Sequence, residues 1–184
     1  MAPLSAQKRQ PDFYKVVYFG VAGAGKRTNL AGARTLLGAS DQAVPSDPAI
    51  SSVRINPNGN FAKPVDLYAA NHPIGSPLLQ PLLKDLHGVI FVADSAHEQF
   101  DNNVAAMAEL IGRLSTFGIR IDTFPSIIQY NKRDLADGTV IQKFEDELNP
   151  LGLPAFNAVA RDGEGVVACI EAVNLMIKKY LKTP

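Results

Sequence analysis

Neither sign of charge dominates this sequence: 18 lysines and arginines stand against 18 aspartates and glutamates. A chain built mainly to coat nucleic acid carries a basic excess, so that class is excluded. The same neutrality lowers solubility and favours contact with a partner surface. Cysteine is nearly missing. Cys169 stands alone, so no internal disulfide forms, and no Cys/His group has zinc spacing. A reducing compartment is the simplest setting. No apolar stretch reaches membrane-spanning length, and residues 1–10 hold no apolar signal core. Met1-Ala2 is not a myristoylation start, nor Lys182-Thr183-Pro184 a prenylation end. A soluble cytoplasmic protein without a stable membrane anchor is expected, with Lys8, Arg9, Lys178, Lys179 and Lys182 as solvated ends. Internal repeats and low-complexity tracts are lacking too. What is present is ordinary globular material, 46% hydrophobic and 20% charged over 184 residues, about one domain's worth.

After a polar arm over residues 1–14, residues 15–184 read as one domain of alternating strands and helices. Six strands are expected: Lys15–Phe19, Ile50–Ile55, Val65–Ala70, Gly88–Asp94, Pro125–Tyr130 and Ala155–Val159. The Asn-Gly step at Asn58-Gly59 marks a hairpin between the second and third. Helical spacing of apolar residues predicts helices at Lys26–Leu37, Gly75–Leu86, Phe100–Leu114, Thr139–Leu148 and Gly165–Leu181. Pro81 shortens or kinks the second of these. In the last, Cys169 falls in the apolar stripe, which reads as a buried inert thiol. The alternation predicts an α/β fold: a mostly parallel six-stranded sheet with one antiparallel edge strand and helices on both faces. In such folds ligands sit at the carboxyl ends of the strands.

Two motifs fall at those ends. Gly20-Val-Ala22-Gly23-Ala24-Gly25-Lys26 matches the first seven positions of the phosphate loop, G-x-x-x-x-G-K-[ST], between a strand and a helix. Small residues let backbone N–H groups face a phosphate, the helix N-terminus adds positive potential, and Lys26 adds a full charge. The eighth position, where a hydroxyl should hold magnesium, is Arg27. Thr28 follows, turned about 100° around a regular helix, so only a shifted register makes it the ligand. Arg27 either sets a guanidinium near the phosphates, partly replacing the ion, or faces solvent.

The second motif is Asn131-Lys132-Arg133-Asp134, N-K-x-D after a buried strand. Asp134 can accept two hydrogen bonds from N1 and N2 of guanine, which adenine cannot offer. Asn131 can tie this turn to the phosphate loop, and the Lys132 stem can cover the base.

With both motifs in place the chain resembles a small Ras-like GTPase, specifically the bacterial MglA type. Lys15-Val-Val-Tyr-Phe-Gly20, Thr28-Asn29-Leu30, Gly88-Val-Ile-Phe-Val-Ala-Asp94-Ser95, Ile128-Gln-Tyr-Asn-Lys-Arg-Asp-Leu135 and Ala158-Val-Ala160 carry the resemblance, which is poor from Leu36 to Leu86. It implies a G domain over 15–184 that binds GTP or GDP. It also implies Val159, Ala160 and Arg161 at the base, a polarity or motility switch, and a Roadblock/LC7-type protein partner that speeds hydrolysis.

The chain departs from the family pattern in its sensors. No threonine occurs from Leu36 to Ser115, where a switch needs one; Ser46, Ser51 and Ser52 are the substitutes on offer. Ala70-Asn71-His72-Pro73 stands where the family keeps Pro-Gly-Gln, so the γ-phosphate glycine is His72 or is displaced to Gly75, and the water-orienting Gln has no counterpart. Asp85-Leu-His-Gly88 spells D-x-x-G but enters a strand, and reads as a decoy. His72 is either an improvised base or a plain loop histidine. These departures predict a guanine-nucleotide-binding regulator with slow or absent hydrolysis, no assignable catalytic or metal-ligating residue, and doubtful use of magnesium. The alternatives are an active GTPase using an unconventional or partner-supplied residue, and a scaffold without nucleotide.

Overall fold

The structure, a computed structural model, describes residues 11–42, 48–73, 75–136 and 142–182. Most of the polar arm, Ser46 and the start of the helix expected at Thr139–Leu148 lie outside the described residues.

Among the described residues seven strands form one sheet in the order β2-β3-β4-β1-β5-β6-β7. They are β1 (Tyr14–Phe19), β2 (Ser40–Asp41), β3 (Ile50–Ile55), β4 (Val65–Ala70), β5 (Gly88–Asp94), β6 (Ser126–Asn131) and β7 (Ala155–Asn157). The expected count of six is therefore corrected to seven. The added strand, β2, is two exposed polar residues that pair antiparallel with β3. Its edge position leaves no apolar alternation to betray it. β3 pairs antiparallel with β4 as well, Ile55 opposite Val65, so β3 is the one strand that runs against the others, as expected, and β2 rather than β3 is the edge. The hairpin stands as expected, and its turn is fixed by Asn58, whose side chain accepts the N–H groups of Asn60 and Phe61 at 2.9 and 3.2 Å.

The helices are α1 (Lys26–Leu37), α2 (Leu79–Leu82), α3 (Phe100–Ser115) and α4 (Val166–Tyr180). The stretch expected to be helical from Gly75 to Leu86 condenses to α2, one turn around Pro81. At the described end of the Thr139–Leu148 stretch the chain forms a π-helical turn, Phe144–Leu148. The buried face of α3 is Phe100, Asn103, Ala106, Met107, Leu110 and Leu114. Val104 and Ile111, expected in the core, are 36% and 37% exposed. Asn103 takes the core position because its side chain bonds the Asp94 backbone both ways, N–H to Oδ1 at 3.1 Å and Nδ2 to carbonyl at 2.8 Å.

From β1 the chain winds through α1 towards β4; from β5 it winds through α3 the other way to β6. Right-handed crossovers then put α1 and α3 on opposite faces. All seven residues of β5, sandwiched at the centre, are buried, and each large aliphatic among them contributes about 1.5–3 kcal/mol. The winding reverses between β1 and β5, so a crevice opens past their carboxyl ends.

Candidate functional site

The loop after β1 lies over that crevice, and two of its glycines are demanded by contact. A Cβ on Gly20 (φ 144°) would lie 2.2 Å from the Val92 carbonyl oxygen, and one on Gly25 (φ 101°) 2.2 Å from Asn131 Nδ2. Only glycine lets the loop sit this close to β5 and to the Asn131 side chain. Gly25 caps α1, whose first turn carries no acidic residue, so the positive end of the helix dipole is not neutralised there. Lys26 folds back over the loop, its Nζ donating to the Gly20 and Val21 carbonyls at 2.7 Å each. Burial, and secondarily the Arg27 charge, push its ammonium down to about 8.

Asn131 ties three segments together. Its Nδ2 donates to the Ala24 carbonyl at 2.7 Å, and its Oδ1 accepts the Ala160 N–H at 2.9 Å. A second buried bridge runs beneath: Gln129 Nε2 donates to Asn29 Oδ1 at 2.8 Å, and Asn29 Nδ2 to the Gly25 carbonyl at 3.0 Å. The glycine loop is thereby held against β6 from two sides, as expected for Asn131 and unforeseen for Asn29 and Gln129. Lys132 sits at φ 59°, a left-handed conformation uncommon outside glycine and typical of constrained sites. Its ammonium pairs with buried Asp94 at 2.5 Å.

These pieces line an open cleft of about 190 Å³. Gly23, Gly25, Thr28, Asn131 and Lys132 line one part of it; Asp134, Leu135, Val159, Ala160 and Arg161 line the rest. Leu135 is the lining residue that the motifs do not name. Gly20, Ala22, Ala24, Lys26 and Arg27 belong to the loop or helix start but are outside the lining. Arg161 Nη2 lies 3.1 Å from Asp134 Oδ2. The guanidinium is 68% exposed, so this pair is worth about 0–1 kcal/mol and yields readily to a stronger hydrogen-bonding partner.

Arg27 points elsewhere: its Nη2 donates to the Ala49 carbonyl at 3.3 Å. Because α1 is regular from Lys26, Thr28 is not turned into the Arg27 position. Ser52 is 3% exposed within β3. Arg27 thus puts no hydroxyl at the position that usually holds magnesium, and Thr28, one residue on, lines the cleft. The decoy reading of Asp85–Gly88 holds, since Gly88 faces Val16 at the amino end of β1, away from the loop. There His87 Nδ1 accepts the Lys15 N–H at 2.9 Å. Cys169 is fully buried and its thiol is pushed up to about 12 by burial, consistent with an inert core residue. A separate, mostly apolar groove of about 170 Å³ lies between α3 and residues 147–153 and shares no lining residue with this cleft. Among the described residues no helix is long and apolar enough to cross a membrane.

A sheet that reverses its winding beside a glycine loop, with an antiparallel hairpin at one edge, defines a P-loop protein of the Ras-like fold. No family model matches the chain. It is similar to Mutual gliding-motility protein MglA of Myxococcus xanthus (strain DK1622), 36% identical over 101 residues, or 55% of this chain and 52% of that protein. The chain thus spans about half the length of the curated relative it matches, and the resemblance to the MglA type rests on that part.

Proposed function

We propose that this chain is a guanine-nucleotide-binding regulatory protein of the MglA type, with hydrolysis at or below the slow intrinsic level of Ras-like proteins. The observation that carries the reading is the Asn131 side chain, which holds the glycine loop at Ala24 and the 158–161 turn at Ala160 around one cleft. In this reading Gly23, Gly25 and Lys26 meet the phosphates, Asp134 reads the guanine edge, and Ala160 and Arg161 bound the base. Slow turnover follows from Arg27 in place of a hydroxyl and from Ala70-Asn71-His72-Pro73 in place of a γ-phosphate glycine and Gln. Such groups stabilise charge as phosphoryl transfer proceeds. The name of the relative points to control of motility. The resemblance points to a Roadblock/LC7-type protein partner and to action in the cytoplasm.

Denaturing the freshly purified protein and separating released nucleotides by anion exchange tests the reading. Guanine nucleotide near one per chain supports it; adenine nucleotide in its place sinks it.

A further inference from the structure

Asp94 ends β5 directly beside Asn131, the last residue of β6, and the guanine reading above gives it no task. Its side chain is 5% exposed, and both carboxylate oxygens are engaged. Oδ1 accepts the Ala96 N–H at 3.1 Å, and Oδ2 takes the Lys132 ammonium at 2.5 Å. Its backbone is held as firmly: Asn103 of α3 bonds its N–H and its carbonyl, and the next residue, Ser95, donates its N–H to the Asn131 carbonyl at 2.9 Å. Asp94 is therefore a fixed post. Lys132 is the partner with freedom to lose. It lines the cleft, and its side chain is 35% exposed, a setting in which a lysine ordinarily samples many rotamers. Its backbone is set at φ 59°, and the turn it opens is tied down by the Arg133 N–H, which donates to the Ala158 carbonyl at 3.1 Å. The stem is thus anchored at its root by the turn and at its tip by Asp94.

We propose that Asp94 is a positioning residue for the base: by holding the Lys132 ammonium it fixes the lysine stem as a preformed wall of the cleft, without touching the ligand. This deepens the reading above and rests on it. Ordering a long side chain during binding costs affinity, and ordering it beforehand removes that cost. A charge-assisted bond to a nearly buried carboxylate is strong enough to do so. The pair is also mutually required, because a buried carboxylate without its counter-ion is strongly destabilising. The charge assigned to the phosphates, Lys26, is held separately by the Gly20 and Val21 carbonyls. Loss of Asp94 is therefore felt by the base and not by the phosphates.

The test is isothermal titration of GDP, guanosine and inorganic pyrophosphate into wild type, Asp94→Asn, Lys132→Met and the variant carrying both substitutions. Asp94→Asn keeps the shape of the side chain and an oxygen for the Ala96 N–H but gives up the charge that holds Lys132. It should weaken GDP and guanosine by the same factor, about two- to tenfold, the cost of ordering one long side chain on binding. Pyrophosphate binding should not change. With Lys132→Met already present, Asp94→Asn should cost no further affinity, whereas a merely structural role would cost as much in either background. Equal weakening of guanosine and pyrophosphate by Asp94→Asn, unchanged guanosine affinity, or the same cost with and without Lys132 overturns the proposal. Should Lys132→Met fail to fold, the comparison of guanosine with pyrophosphate in Asp94→Asn decides alone. Wild type that binds GDP no more tightly than pyrophosphate overturns the reading of a base cleft itself, and this is seen without any variant.

Discussion

Raising the pH above 8 is expected to stabilise the nucleotide-free protein while loosening its hold on a nucleotide. The lever is Lys26, whose ammonium is lowered from the ordinary 10.5 to about 8, by burial first and the Arg27 charge second. The residue is 8% exposed, so solvent screening does not erase the effect. In the unfolded chain the group titrates near 10.5, so between about 8 and 10.5 the unfolded state binds more protons and stability rises with pH. Below that window both states are charged and the folded state bears the whole cost, about 3 kcal/mol at about 1.4 kcal/mol per tenfold change in proton affinity. A phosphate at the loop favours the ammonium, so binding above pH 8 is coupled to proton uptake, and Kd should rise by up to about tenfold per pH unit. Lys15, also lowered by burial, adds a slope of the same sign, so the useful quantity is the difference between wild type and Lys26→Met. Urea unfolding from about pH 7.5 to about pH 9.5 should show wild type gaining about 2 kcal/mol more than the variant. GDP titrations over the same range should show wild-type affinity falling. Parallel stability curves for the two proteins would refute the argument.

Asn131→Ala removes the partners of a buried carbonyl at Ala24 and a buried N–H at Ala160, at about 1–3 kcal/mol each. The Tm should fall by about 5–15 °C, at about 2–4 °C per kcal/mol for a chain of this size; a fall within 2 °C, roughly the smallest step of that scale, would mean that the loop is not held there. Removal of magnesium with EDTA should change wild-type GDP affinity less than about threefold, because Arg27 replaces the hydroxyl that would anchor the ion. Arg27→Thr should introduce magnesium dependence in the same titration, and a variant that behaves as wild type would make Arg27 a surface residue only.

What the sequence made legible is what local signals encode. The glycine run, the Asn-Gly turn and the apolar periods of β5 and α1 each specify their element within a few neighbours, and these elements carry the glycine loop and the N-K-x-D turn to one end of the sheet. Interactions between distant residues stayed hidden. Asn103 reads as a polar helix residue, yet it is buried because it answers the Asp94 backbone. Val104 and Ile111 fit an apolar stripe that tertiary packing rotated out of the core. β2 has no pattern of its own, and its two residues become a strand only because β3 offers an edge. The Asn29–Gln129 bridge spans 100 positions, and the pairing of Asp134 with Arg161 depends on two turns meeting in space. None of these leaves a periodic or local mark.

The central claim is that this cleft selects guanine, and Asp134 is the group on which that selection turns. Its most direct test is a competition titration of GDP and ADP on wild type and Asp134→Ala. A carboxylate that hydrogen-bonds the base edge discriminates against a base lacking the partner groups, so wild type should prefer GDP by at least about a hundredfold. Asp134→Ala should lose roughly 1.5–3 kcal/mol towards GDP, about ten- to a hundredfold, and change little towards ADP. Equal binding of GDP and ADP by the wild-type protein would contradict the account.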